Sequence, residues 1–150
     1  MAEPSALWCL FRVGDIVLAA EAARVVEVSR CSPVTPIPLA CGHVSGLVNV
    51  RGQIAHVVDL STRLSLMRHP AGDLEGDRTA TGFRVVVRTA VGLAAFLVDE
   101  VCDVRSIPMA VVTSPPAALP AALADVTLAA ARTDAAVVLL VDVDEVVGCR

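Results

Sequence analysis

The chain has 150 residues, a formal net charge of −4 and a hydrophobic share of 55%, which together fit one compact unit burying about 70% of its unfolded surface. That balance argues against a nucleic-acid binder, which needs clustered cationic side chains; lysine and tyrosine are absent, and Trp8, Phe11, Phe83 and Phe96 are too few rings for base stacking. The longest apolar runs, such as Ala135–Val141, fall well short of the ~18–20 residues of a membrane helix.

No basic start followed by a long apolar stretch occurs in Met1–Val17, so a cytoplasmic protein is expected. Cys9, Cys31, Cys41, Cys102 and Cys149 form an odd set without a C-x-x-C pair, as expected of reduced, structural thiols. A metal site at Cys31, Cys41 and His43 is conceivable, but the ten-residue gap lacks the close ligand pair that such sites use.

In chain order, Leu7–Val13 alternates as a strand, Gly14-Asp15 turns, and Ile16–Ala19 returns. Ala20–Arg24 suits a brief helical turn before an extended Val25-Val26-Glu27-Val28. Pro33, Pro36 and Pro38 make Ser32–Pro38 an extended connector, because proline cannot donate to a sheet ladder. Two apolar runs follow, Gly46–Val50 and Gln53–Leu60, separated by Arg51-Gly52, which is a hairpin signal. In the second run Ile54, His56, Val58 and Leu60 share one face, and Ala55, Val57 and Asp59 the other.

Met67–Gly82 is polar and aperiodic, as a mobile loop would be, and divides the chain roughly in half. Phe83–Arg88 alternates, Ala90–Gly92 turns, and Leu93–Val98 continues as a strand ending in Asp99-Glu100-Val101. Proline density at Ser114–Pro120 favours a surface excursion. Asp125–Arg132 and Ala136–Val143 supply two closing strands around a turn at Asp134-Ala135.

Taken alone, Arg51 is an ordinary solvated turn residue. The string around it is more specific: Gly46, Asn49, Arg51 and Gly52 followed by Val58-Asp59-Leu60 resembles the signature of the CheW-like coupling domain. A second block, Gly92, Leu93, Val98, Asp99, Val101, Asp103 and Val104, resembles the later signature of the same family, and the likeness runs from about Leu7 to Val147. Two positions depart from the pattern: His56 stands where the family usually has proline, and Ser61 where many members carry a second arginine.

Many short alternating segments by themselves suggest an all-β barrel or sandwich. The resemblance implies two packed five-stranded SH3-like barrels with at most short helical segments, forming a single domain over 7–147 with tails at 1–6 and 148–150. It implies a non-catalytic adaptor, without cofactor or metal, that couples the cytoplasmic tip of a methyl-accepting chemoreceptor to the CheW-like regulatory domain of a CheA-type histidine kinase in receptor arrays. A pilus, gliding or developmental pathway is the alternative setting. On that reading Val25, Val50, Gly92 and Leu93 would floor a receptor groove, with Glu27, Asn49 and Arg51 at its rim. Val101, Asp103, Val104 and Ile107 would meet the kinase.

A metal-dependent hydrolase is the weaker competitor. His43, His56 and Asp59 supply ligand types, but His56 and Asp59 lie an odd number apart in one strand and face opposite ways. Ser45 and Ser61 lack a G-x-S-x-G elbow. Asp99, Asp103, Asp142 and Asp144 lack the D-x-D-x-D-G loop of a calcium site.

Overall fold

The computed structural model describes residues 5–30, 44–66, 82–134 and 136–148. Eleven strands are present among them: β1 (Ser5–Val13), β2 (Ile16–Glu21), β3 (Val25–Arg30), β4 (Val44–Val50), β5 (Gln53–Asp59), β6 (Phe83–Thr89), β7 (Gly92–Val98), β8 (Glu100–Pro108), β9 (Val112–Thr113), β10 (Thr127–Arg132) and β11 (Val137–Val141). Single helical turns stand at α1 (Leu60–Arg63), α2 (Ala121–Ala124) and α3 (Val143–Val147), with 3₁₀ turns at Ala22–Arg24 and Met109–Val111.

The strands form a six-stranded sheet, β8-β1-β2-β11-β10-β9, and a five-stranded sheet, β3-β6-β7-β5-β4. Both are closed on themselves. In the first, β8 and β9 are opposite edges, which a flat sheet would hold about 24 Å apart. Three residues, Met109–Val111, join them, and the four Cα steps from Pro108 to Val112 reach at most about 15 Å. In the second, the edge strand β3 and the β4–β5 hairpin would lie about 14 to 19 Å apart if flat, yet Glu27 and Arg51 meet across that gap in an ion pair of 3.1 Å. The architecture is two SH3-like barrels. The five-stranded one is contiguous in sequence and inserted between β2 and β8 of the other.

Alternation decides where each side chain goes. On β7, Ala94, Phe96 and Val98 join a core shared by the two barrels, while Leu93, Ala95 and Leu97 turn inward to the five-stranded barrel. On β11, Leu139 and Val141 face the shared core, and Val138 and Leu140 the interior of the six-stranded barrel. Strands covered on both faces need near-continuous apolar sequence, and this accounts for Val85-Val86-Val87, Leu93–Val98 and Val138–Val141. The helical turns add Leu60, Leu64, Leu123, Val143 and Val146 to the shared core.

Three expected boundaries change. Leu60 belongs to α1, because Asp59 accepts a hydrogen bond from the Ser61 N–H and caps a helical turn. The strand expected to run through Asp99 to Val101 breaks at Asp99, and Glu100 opens β8 in the other barrel. The closing strand stops at Val141, where Asp142 caps α3 in the same manner as Asp59. The segments Ser32–Pro38 and 67–81 lie outside the described residues. Gly82, assigned to the loop by composition, has φ +87, and a Cβ there would stand 2.7 Å from the Val98 carbonyl oxygen. Only glycine satisfies both conditions without strain.

Candidate functional site

The β4–β5 hairpin is built on a two-residue turn with Val50 opposite Gln53. Both central residues have positive φ, 51° at Arg51 and 84° at Gly52, the type I′ pattern whose twist matches the flanking strands. Asn49 Oδ1 accepts the Gly52 N–H at 2.9 Å, which fixes the turn and gives Asn49 a structural role besides any at the surface. Glycine adopts such a φ freely. An arginine in that region costs on the order of 1 kcal/mol, and an outlier of this kind is a pointer to function.

Arg51 stands 73% exposed at the barrel mouth, its Nε 3.1 Å from Glu27 Oε2 on β3. The two charges expected at the rim are thus brought together. The expected floor is not. Val50 and Leu93 are only 4% and 6% exposed and pack inside the five-stranded barrel, and Val25 packs against the shared core. These are corrections: Leu93 lies on a strand buried on both faces, Val50 points into the barrel, Val25 is half-buried, and Gly92 alone of the expected floor is exposed. A bulge between Val25 and Glu27 sets Val26 instead into the barrel interior.

Exposed apolar surface lies nearby, on β5 and in the β6–β7 turn. Ile54 and Val91 are 58% and 78% exposed. Ala55 pairs with Leu93 in the parallel β5–β7 ladder, so Ile54 falls beside exposed Gly92, and Val91 is in the adjoining turn. His56 is exposed on the same face of β5 as Ile54, whereas Val58, two residues on, is fully buried. The six-stranded barrel covers that face only as far as Val58 and leaves a step between the barrels. Alternation groups Ile54 with the buried Val58 and so does not reveal its exposure. Val91 was hidden in a turn.

An ion pair holds the step's far side. Asp144 of α3 receives both terminal nitrogens of Arg24 at 3.1 and 3.3 Å, and its Oδ1 also accepts the Ala90 N–H at 2.8 Å. The Arg24 hydrogen bonds, then the Ala90 N–H, hold the Asp144 carboxyl below its ordinary range, and the same pairing raises Arg24. A folded-state pKa below the unfolded value means stability that is present above the unfolded pKa and lost as pH falls through the folded one. Thermal melts of wild type and Asp144→Asn should therefore differ by a constant amount above about pH 5, wild type melting higher, and converge below about pH 4. A difference that persists undiminished in acid would show that the carboxylate charge is not what ties Ala90 to α3.

The four β8 residues expected at a kinase contact divide. Ile107 is buried inside the six-stranded barrel and presents no surface, and Val101 is half-buried against the shared core. Asp103 and Val104 are exposed, and exposed Leu7 lies diagonal to Val104 in the β1–β8 ladder, where Leu7 pairs with Ser106 and Cys9 with Val104.

Ser61 and the four aspartates weighed as cation ligands serve local structure. Ser61 is buried and donates its hydroxyl to Asp59 Oδ1 at 2.8 Å. Asp99 accepts the Gly14 N–H, Asp103 the Val104 N–H, Asp142 caps α3, and Asp144 pairs with Arg24. Among the described residues no group of three His, Cys, Asp or Glu side chains could hold a metal ion. Burial pushes the Cys9 thiol up. Cys31, Cys41 and His43 lie outside the described residues.

Two closed barrels, a charged hairpin tip and a partly uncovered interbarrel face agree with what comparison of the sequence finds. Residues 8–148 match the CheW-like domain. The chain belongs to the CheW-like domain family. It is similar to Protein FrzA of Myxococcus xanthus, 33% identical over 116 residues that make up 77% of this chain and 68% of that one. It is also similar to the chemotaxis protein CheW of Rhizobium meliloti, 30% identical over 97 residues. That match covers 65% of this chain and 58% of the relative, so the chain spans less than two thirds of that protein. The fold is that of the crystal structure of the scaffolding protein TtCheW from Thermoanaerobacter tengcongensis, with a TM-score of 0.80 at 19% identity over 95% of this chain and 92% of that one. Among the described residues of this CheW-like chain, no helix is long and apolar enough to cross a membrane.

Proposed function

We propose that the chain is a non-catalytic, cytoplasmic CheW-like adaptor that holds a chemoreceptor's cytoplasmic tip and a CheA-type histidine kinase in register within receptor arrays. The observation that carries the receptor side is the Glu27–Arg51 pair at the five-stranded barrel's mouth, flanked by exposed Ile54, Val91 and Gly92. An apolar step with a charged rim suits one face of a helical hairpin, the helix-in-groove mode. Val50, Leu93 and Val25 serve this surface from beneath, by fixing the strands that present it. The kinase contact is proposed at Asp103 and Val104 of β8, extended by Leu7. Two modest contacts suffice, because an array raises the effective concentration of each partner.

Reconstitution tests the reading. A CheA-type kinase and a receptor signalling fragment from the same source, mixed with this chain, should show receptor-dependent kinase autophosphorylation that is absent without it. Kinase activity indifferent to the chain would refute the adaptor role. Which receptor and kinase respond, flagellar or otherwise, identifies the pathway.

A further inference from the structure

At the end of the five-stranded barrel opposite Arg51 sits a charge that the adaptor reading does not use. Arg84 on β6 is 7% exposed. It shares a face with Val86, which points into the barrel interior, while its neighbours Val85 and Val87 point to the shared core. Its Nη2 reaches the Ser29 hydroxyl at 3.5 Å, a contact at the limit of a hydrogen bond. Its Nε and Nη1 are buried and have no acceptor among the described residues.

A guanidinium does not escape burial by giving up its proton, so an unpaired one in a protein interior is strongly unfavourable. The other buried charge on this face is Asp59. The register runs Ser29, Arg84, Leu97, Asp59 across four strands, which sets Leu97 between the two charges and their Cα atoms about 10 Å apart. Asp59 is in addition engaged by Ser61 and Thr62 at the start of α1. The neighbouring Arg30, paired with Phe83 in the β3–β6 ladder, lies over the Phe83 ring at 5.9 Å. No acidic group pairs with it among the described residues. Two guanidinium groups therefore stand at one strand end without a counter-charge from those residues, in a chain whose net charge is −4.

We propose that Arg84 and the Ser29 hydroxyl form an oxyanion-binding site at this end of the five-stranded barrel, taking a phosphate or a carboxylate. Guanidinium N–H groups suit either, since both offer several acceptor oxygens at the spacing of the planar fork. The two sources are a small phosphate-bearing molecule and an acidic side chain of a bound protein.

Thermal melting of the full chain at constant ionic strength, with inorganic phosphate or acetate replacing chloride, is the test. Wild type should melt higher as the anion concentration rises, because a ligand bound only by the folded state stabilises it in proportion to the logarithm of its excess. Arg84→Met should show no anion response. Ser29→Ala, which leaves the guanidinium in place and guards against a misfolded Arg84 variant, should need several-fold more anion for the same shift. A response to phosphate alone points to a phosphate-bearing ligand, and a response to acetate as well points to an acidic side chain. A wild type indifferent to both anions would overturn the proposal, whichever way Arg84→Met itself melts. So would an Arg84→Met variant that responds as wild type does.

Discussion

Arg51→Glu should leave the protein folded and abolish the proposed coupling activity. The side chain is 73% exposed and its ion pair with Glu27 is at the surface, so its loss should change stability by no more than about 1 kcal/mol. Reversing the charge in a docking contact costs several kcal/mol of binding, so receptor-dependent kinase activation should fall by more than about tenfold in the reconstituted assay. The replacement also sets a second carboxylate against Glu27 across the barrel mouth. The double variant Glu27→Arg with Arg51→Glu separates the two effects. It restores an ion pair between the edges while leaving each charge in the wrong place for a partner, so it should melt near wild type and remain uncoupled. Recovery of coupling in the double variant would mean that the pair acts only by closing the barrel.

The largest loss of stability is expected from Phe96→Ala. Phe96 is fully buried in the core shared by both barrels, beside Val58 and Val85 across the ladders. Truncating a buried phenylalanine costs about 3 to 5 kcal/mol, a large part of the roughly 5 to 15 kcal/mol that holds a domain together. For a chain of this size the melting temperature should drop by about 10 °C or more. Because Phe96 lies between the barrels rather than inside one, both should still unfold in a single transition. Two separated transitions in calorimetry would show that each barrel is stable alone and that the shared core is dispensable.

The fold was legible where local chemistry and tertiary need coincide. Asn49-Val50-Arg51-Gly52 announces its hairpin, and the alternation of Leu7–Val13 announces β1. Where an element end is decided by a capping side chain, the apolar pattern gives no warning: Leu60 continues the run of β5 yet folds into α1 because Asp59 caps it. The same limit governs the site. Charged residues at a turn, such as Arg51, and at a strand margin, such as Glu27, are expected at the surface, and there they pair with each other. Leu93 looks no different in sequence from a surface hydrophobic, since a strand buried on both faces has no alternation to show which way a side chain points. Ile54 and Val91 are exposed because the second barrel stops short of them, and that depends on contacts between residues far apart in the chain.

The insertion of one barrel within the other sets an order on synthesis. Strands β3 to β7 emerge consecutively and have all their partners once Val98 leaves the ribosome. The β1–β2 hairpin, made first, waits for β11, whose first residue, Val137, comes 116 residues after Glu21. At roughly 5 to 20 residues per second that delay is about 6 to 23 s. For that interval Trp8, Leu10 and Ala19 lack the cover that Val138 and Leu140 will give them, so the nascent hairpin is the part of the chain that a ribosome-associated chaperone has most reason to shelter.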